Sequence, residues 1–354
     1  MPVDRCASSA VTLEDVLDEW TAGRTDRIPL AAAVVALTRA GLRLAAMVAA
    51  NPLPAAAGDL QTTTNADGDI QTPLDVRAEA LFVTALTGHD VAAILSEETR
   101  DPIPLTEGGS LIVTLDPIDG SSNLDINAPV GTIFSILPNE GVAGAPNLVV
   151  LQPGRRQLAA GIIVYGPSTV MVLSVGSGTD TYVLDPDRRV FVRTRARLEL
   201  PADSQEYAIN AANARHWNDG ITSYINDLVN GSVGPRGRDF NMRWIAALVA
   251  DTYRILLRGG IFLYPGDQRP GYRQGRIRLV YEANPVAFLC EQAGGMATDG
   301  LTPILDIQPA SLHQRTPLVF GSRTKVERVR RYLENSSTMH QDSPLFTRRG
   351  LFRS

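Results

Sequence analysis

The chain has 354 residues, 44% of them hydrophobic and 20% charged, with a formal net charge of −5 and a pI near 5.5. That describes a globular protein with length enough for two domains, and the acidic balance excludes nucleic acid as a main partner. Cys6 and Cys290 make no disulfide framework, and the N-terminus lacks a basic, apolar signal pattern. The most apolar long segment, residues 30–50, is interrupted by Arg39 and Arg43, so a cytoplasmic protein without membrane contact is expected.

In chain order, residues 11–20 and 30–50 carry apolar residues at helical spacing, and Asn51-Pro52-Leu53-Pro54 ends the second helix. Residues 62–69 read as a polar loop. A helix is expected from Asp75 to Thr87, with Asp75 as its cap behind Pro73. Residues 91–95 form a short strand running into Ser96-Glu97-Glu98. Residues 110–115 form a second, buried strand, which Pro117 should stop because proline has no N–H. Strands follow at 131–137, 161–165, 170–175, 181–184 and 190–192, with a Gly/Ala/Pro loop at 139–147. The charged, aperiodic stretch 194–203 is taken as a domain boundary. It divides the chain into residues 1–200, 201–335 and a polar tail, 336–354.

Beyond the boundary, a strand at 207–209 and a helix at 217–229 lead to 244–257, which combines a helical stretch with a following strand. Another strand is expected at 260–264, then a basic turn at 266–275. The alternation of Ile277, Leu279 and Tyr281 predicts a strand from Arg276 to Glu282. A helix at 285–293, stopped by Gly294-Gly295, a strand at 318–320 and a helix at 325–332 complete the pattern. There is no internal repeat.

The chemistry concentrates in Leu115-Asp116-Pro117-Ile118-Asp119-Gly120-Ser121-Ser122-Asn123. Two carboxylates beside one proline repel each other, and the usual remedy is a bound cation. Gly120 lets something approach the backbone closely. Ser121, Ser122 and Asn123 are N-cap types, so a helix start offering N–H groups to an anion is expected there. Such a stretch alone is also an ordinary turn. Acidic residues, however, stand at two further segment ends, Glu97-Glu98 and Glu282. Together they form the minimal equipment of metal-assisted phosphate chemistry.

On these residues the sequence resembles the class I fructose-1,6-bisphosphatase family. The matching pieces are Gly68-Asp69 with Asp75, Ser96-Glu97-Glu98, the stretch 116–123 and Val130-Gly131-Thr132-Ile133-Phe134. They continue with Gly259-Gly260-Ile261-Phe262-Leu263-Tyr264-Pro265, Leu279-Val280-Tyr281-Glu282-Ala283-Asn284-Pro285, residues 293–298 and His313-Gln314-Arg315. The resemblance runs from about Asn65 to about Tyr332. The Asp-Pro-Ile-Asp-Gly core is shared with a wider phosphatase superfamily, whereas the Ser121-Ser122-Asn123 extension and the stretches at 259–265 and 313–315 are more specific.

The resemblance implies an α/β fold in αβαβα layers, a homotetramer, and magnesium-dependent removal of the 1-phosphate of fructose 1,6-bisphosphate. Two or more Mg2+ per subunit, or Mn2+, would be held by Glu97, Glu98, Asp116, the Ile118 carbonyl, Asp119 and Glu282. The 1-phosphate would sit on the backbone N–H groups of Gly120 and Ser121, with Asp119 and Ser122 also binding the substrate. Asn210, Tyr264 and Arg243, the last from a neighbouring subunit, would meet the 6-phosphate, with Arg276 where a lysine is usual. Asp75 and Glu98 would act on the attacking water, and Asp69 would hold a loop over the site.

Departures cluster at the sugar end: Arg276 for lysine, Asn213 for tyrosine, Trp244 for tyrosine. Sedoheptulose 1,7-bisphosphate is therefore the alternative substrate, ahead of an inositol phosphate or a non-catalytic sensor role. Gluconeogenesis or a Calvin-type cycle is the implied setting. Many relatives bind AMP through a Lys-Tyr step upstream of the acidic stretch. Ser110 and Leu111 stand there, so weak or absent inhibition by AMP is expected.

Overall fold

The computed structural model describes residues 10–50, 63–64, 70–140 and 151–342. Asp69, Gly68, Cys6, the proline stop after residue 50 and the last part of the tail lie outside them. Alternation along the strands builds the layers. Ile162 faces one apolar core and Ile163 another; Ala208 and Phe262 face one while Tyr207, Ile209, Ile261 and Leu263 face a third. Each sheet is therefore covered on both faces, and helices are what cover them.

The first sheet has eight strands: β1 (Val91–Ser96), β2 (Ile103–Pro104), β3 (Leu111–Asp119), β4 (Val130–Pro138), β5 (Ala159–Tyr165), β6 (Thr169–Ser174), β7 (Asp180–Asp185) and β8 (Val190–Arg195). Their order is β8-β7-β6-β5-β4-β3-β1-β2, antiparallel except for the parallel pair β1/β3. Three helices cover its outer face: α1 (Leu13–Thr21), α2 (Ile28–Ala49) and α3 (Pro73–Leu86). They bury Leu17, Leu37, Leu44 and Phe82 against Phe134, Ile163 and Met171. The apolar α2 is long enough to cross a bilayer, but its residues 33–44 are largely buried in this core, while Arg39 and Arg43 stay exposed.

The second sheet holds β9 (Glu206–Ile209), β10 (Asn241–Met242), β11 (Ile261–Tyr264), β12 (Met296–Thr298) and β13 (Leu318–Gly321), ordered β10-β9-β11-β13-β12. Between the sheets lie α5 (Leu248–Arg258) and α6 (Asn284–Gln292), with Val249, Leu256, Val286 and Leu289 in the shared core. Outside the second sheet, α4 (Asp219–Val229) and α7 (Arg323–Asp342) close the stack around Tyr224, Leu228, Val326 and Val329. The layers run α, β, α, β, α, the expected class.

Several local expectations are corrected. The helix expected to start at Asp75 starts at Pro73: Thr72 is the cap, and Asp75 is the third helical residue of a capping box, accepting the Thr72 N–H at 2.7 Å. Pro117 does not stop its strand. One extra residue lies between Asp116, opposite Ile133, and Asp119, opposite Gly131, so the proline sits in a β-bulge, where a missing N–H is tolerated. The segment 276–282 is a strand only at Ile277–Arg278; Leu279–Ala283 forms a π-helical turn that leads into α6. Residues 244–257 hold no strand, and α7 runs on to Asp342, past the start of the expected tail.

Candidate active site

The parallel pair β1/β3 sets the first half of the site. Ser96 lies opposite Leu115, and the Glu97 N–H donates to the Leu115 carbonyl at 3.0 Å. β1 ends where β3 reaches Leu115, and this brings Glu97 and Glu98 to Asp116, as open α/β sheets commonly place ligands beyond strand ends. Glu282 arrives from the other half of the chain. The π turn folds its carboxylate back onto the Arg278 N–H at 2.6 Å.

Asp116, Asp119 and Glu282 are buried, and ligand atoms of all three lie within 4.8 Å of one another. Burial pushes the Asp116 carboxyl well above the usual range, helped by the charges of Glu97, Asp119, Glu282 and Glu98. Glu282 is raised well above its usual value too, by burial and by Glu97 and Asp119, against the opposing pull of Arg278. Asp119 is pushed up to about 7 by burial, with Val249 and Leu248 N–H groups pulling the other way. Among the described residues, Asp116 Oδ1 is buried with no hydrogen-bond partner. Carboxylates this crowded, one with an unanswered oxygen, keep their protons or hold a cation. Hard oxygen donors of this kind fit a small divalent ion.

After Asp119 the backbone turns at Gly120, φ 75°, into a 3₁₀ turn, Ser121–Ile126. The expected N-cap role of the serines and Asn123 is not observed: Gly120 occupies the cap position, without a side-chain bond. A methyl group added at Gly120 would lie 2.9 Å from Ala247 Cβ, so the segment before α5 packs directly over it. Asn123 ties that segment down, donating to the carbonyls of Pro129 at 3.1 Å and Ile245 at 3.5 Å. The Ile118 side chain is in the outer core, which leaves only its backbone for the site. On α3, Asp75 is buried, its carboxyl raised by desolvation, and its Oδ1 has no partner among the described residues.

The second end of the site forms around Tyr264. Arg276 donates to the Tyr272 hydroxyl at 2.6 Å, and Arg269 and Arg276 lie 4.0 Å and 4.8 Å from the Tyr272 ring centre. Arg269 also donates to Asn213 at 3.0 Å. Tyr264 is within electrostatic reach of both arginines. Trp244 stacks on Phe262 at 5.5 Å and leans on Tyr264 at 6.0 Å, an apolar contact in place of the hydroxyl a tyrosine would carry. Asn210 caps the short turn 211–216 through the Ala212 N–H. Arg243 is half-exposed and 4.0 Å from Glu206.

Arg278 joins the two ends. It is buried, 3.4 Å from Glu97, and two residues along from Arg276. Reading the sequence missed it, as it missed Arg269, Tyr272 and Glu79. Glu79 lies one turn past Asp75 on α3, bonded to the Ser96 hydroxyl and raised by burial. Only the general basic character of 266–275 pointed toward the first two.

Two family models match nearly the whole chain. That of the fructose-1-6-bisphosphatase N-terminal domain covers residues 37–196, and that of the C-terminal domain covers residues 200–334. The chain is 51% identical over 326 residues to a class 1 fructose-1,6-bisphosphatase of Azorhizobium caulinodans, spanning 92% of this chain and 99% of that protein. It is 49% identical over 348 residues to the corresponding protein of Rhizobium meliloti, 98% of this chain and all of that one. The fold is similar to the crystal structure of Leishmania major fructose-1,6-bisphosphatase in holo form, with a TM-score of 0.82 and 30% identity over 92% of this chain and 100% of that one.

Proposed function

The chain belongs to the fructose-1,6-bisphosphatase family, and from that premise we propose that its acidic cluster removes the 1-phosphate of fructose 1,6-bisphosphate with the help of magnesium. The observation that carries the reading is the convergence of Asp116, Asp119 and Glu282, from distant parts of the chain, with Asp116 Oδ1 unanswered. Glu97, Glu98, the Ile118 carbonyl and these three are the residues that would hold Mg2+ or Mn2+. Bound there, such ions supply the charge neutralisation that a phosphoryl transition state needs at its attacking and leaving oxygens. The uncatalysed reaction is slow enough that the whole site must supply on the order of 20 kcal/mol.

The chain's own groups do the rest. The backbone after Gly120, with Ser121 and Ser122, receives the 1-phosphate, since a left-handed residue followed by a tight turn gathers N–H groups toward an anion. Asp75, whose burial makes it a stronger base than a surface carboxylate, takes the water's proton together with Glu98. Tyr264, Arg276, Asn210 and Arg243 hold the 6-phosphate, Arg243 reaching across from a neighbouring subunit of a homotetramer. Residues 1–200 thus carry the metal and 1-phosphate end and 201–335 the sugar end, Glu282 being the exception that closes the cluster from the second half. A cytoplasmic setting suits a small, freely diffusing sugar phosphate.

A seven-carbon bisphosphate is the second reading, and the polar Asn213–Arg269 pair and the Trp244 stack favour it, because both alter the wall around the sugar's far end. Phosphate release from fructose 1,6- and sedoheptulose 1,7-bisphosphate, side by side, with and without magnesium, separates the two. Turnover that needs the ion is expected with the six-carbon substrate. No release from either sugar in magnesium would overturn the proposal.

A further inference from the structure

We propose that Asp251 is a positioning residue, and that it aims the start of α5 at Asp119 while tying that contact to the backbone of Arg243, whose side chain serves the neighbouring subunit's site. The inference rests on the reading above for the roles of Asp119 and Arg243. Asp251 is fully buried. Its carboxylate turns back over the first turn of its own helix and accepts the Ile245 N–H at 3.1 Å, with a further bond from Ala246. Its other oxygen accepts from Arg254 at 3.0 Å. Arg254 reaches on to Glu206 at 2.8 Å and to the Arg243 carbonyl at 3.3 Å. One side chain thus holds the segment 245–246 and, through Arg254, the backbone of Arg243.

What needs holding is Ala246. Its φ of 64° is left-handed, a region alanine rarely adopts because Cβ crowds the following carbonyl. Two residues on, the Leu248 and Val249 N–H groups point at Asp119, Val249 at 2.9 Å. Among the described residues they are the hydrogen-bond donors seen at Asp119, and they favour its charged form. Ala247, between them and the strained residue, packs over Gly120 closely enough that even a methyl group there would crowd it. Without Asp251, Ala246 would relax toward negative φ, and the two donors would swing off Asp119. A fixed Asp119 oxygen leaves the other free for the ion, so the expected loss is in metal affinity and turnover rather than in sugar binding.

The test is Asp251→Asn, measured by calorimetric titration of the full-length protein with Mg2+ and by turnover. Asparagine keeps one acceptor of the same shape, so the fold should survive. Magnesium affinity and kcat are expected to fall about tenfold, with KM changed less than twofold because Arg254 keeps its bonds to Glu206 and the Arg243 carbonyl. Adding Ala246→Gly should restore most of the magnesium affinity, because glycine adopts φ 64° without being held. A merely structural role would lower the melting temperature without that selective rescue. Wild-type magnesium affinity in Asp251→Asn, or no rescue in the double variant, overturns the proposal. Should Asp251→Asn not fold, Arg254→Gln must show the same fall in magnesium affinity, and a wild-type value there overturns it too. Calorimetry reads the strap even if the wild-type enzyme releases no phosphate from fructose 1,6-bisphosphate, a result that would instead count against the proposed function.

Discussion

Replacing Asp119 by asparagine should stabilise the metal-free protein and disable the enzyme, and pH separates the two effects. Without a cation, burial lifts Asp119 from its ordinary 3.8 to about 7. A carboxyl raised in the folded state supports folding most when protonated in both states, below pH 4. That contribution is lost as pH rises through 7, because the folded chain must then bury a charge that the unfolded chain exposes. The gap corresponds to about 4 kcal/mol, an upper figure because Asp116 and Glu282 share the same protons. In EDTA at pH 8, Asp119→Asn should therefore melt above the wild type, by several degrees if half of that energy is recovered. At pH 4 the two should melt together. Saturating magnesium should raise the wild type's melting temperature and leave the variant's nearly unchanged, since the variant offers the ion less charge. Its kcat should fall about a hundredfold or more, near 3 kcal/mol of transition-state stabilisation. Thermal melts at both pH values with and without magnesium, and phosphate release at pH 8, read every arm. A variant no more stable than wild type in EDTA at pH 8, or one with normal turnover at saturating magnesium, would refute the reasoning.

Three further outcomes follow from the same geometry. Glu98→Gln should slow hydrolysis while calorimetric affinity for the sugar bisphosphate holds, because a base acts on water; lost affinity with intact kcat would make Glu98 a binding group. Arg243→Ala should raise KM more than it lowers kcat, and mixing its subunits with Asp119→Asn subunits should restore some activity; hybrids that form without rescue would place Arg243 in its own subunit's site. AMP should inhibit weakly or not at all: Ser110 replaces the positive charge and is bonded to Asp90, a carboxylate that would repel the phosphate, while Leu111 is buried. Losing one charge-assisted bond costs roughly 1.5–3 kcal/mol, so micromolar inhibition in an AMP titration at fixed substrate would contradict it.

The sequence by itself determined the reaction class, the acidic cluster and the faces that its elements bury, and its family resemblance implied the layer plan. These were written locally: carboxylates three positions apart around Pro117 and Ile118, acidic residues at segment ends, and apolar periods of two and 3.6 that fix which face of an element is buried. Tertiary structure decided what those residues meet. Glu97 reaches Asp116 only because β1 and β3 pair in parallel with Ser96 opposite Leu115. Glu282 reaches the cluster only because its segment leaves the strand path for a π turn, although Ile277, Leu279 and Tyr281 alternate as a strand should. Pro117 stays inside a strand because its own strand bulges there, two residues facing the single Thr132 of its neighbour. Arg278 and the N–H groups of α5 carry no local sign of their partners Glu97 and Asp119, which lie more than a hundred residues away along the chain. Local sequence sets a residue's own conformation and facing, but a buried charge is made tolerable by groups from other segments, and their arrival depends on how the two sheets close over α5 and α6.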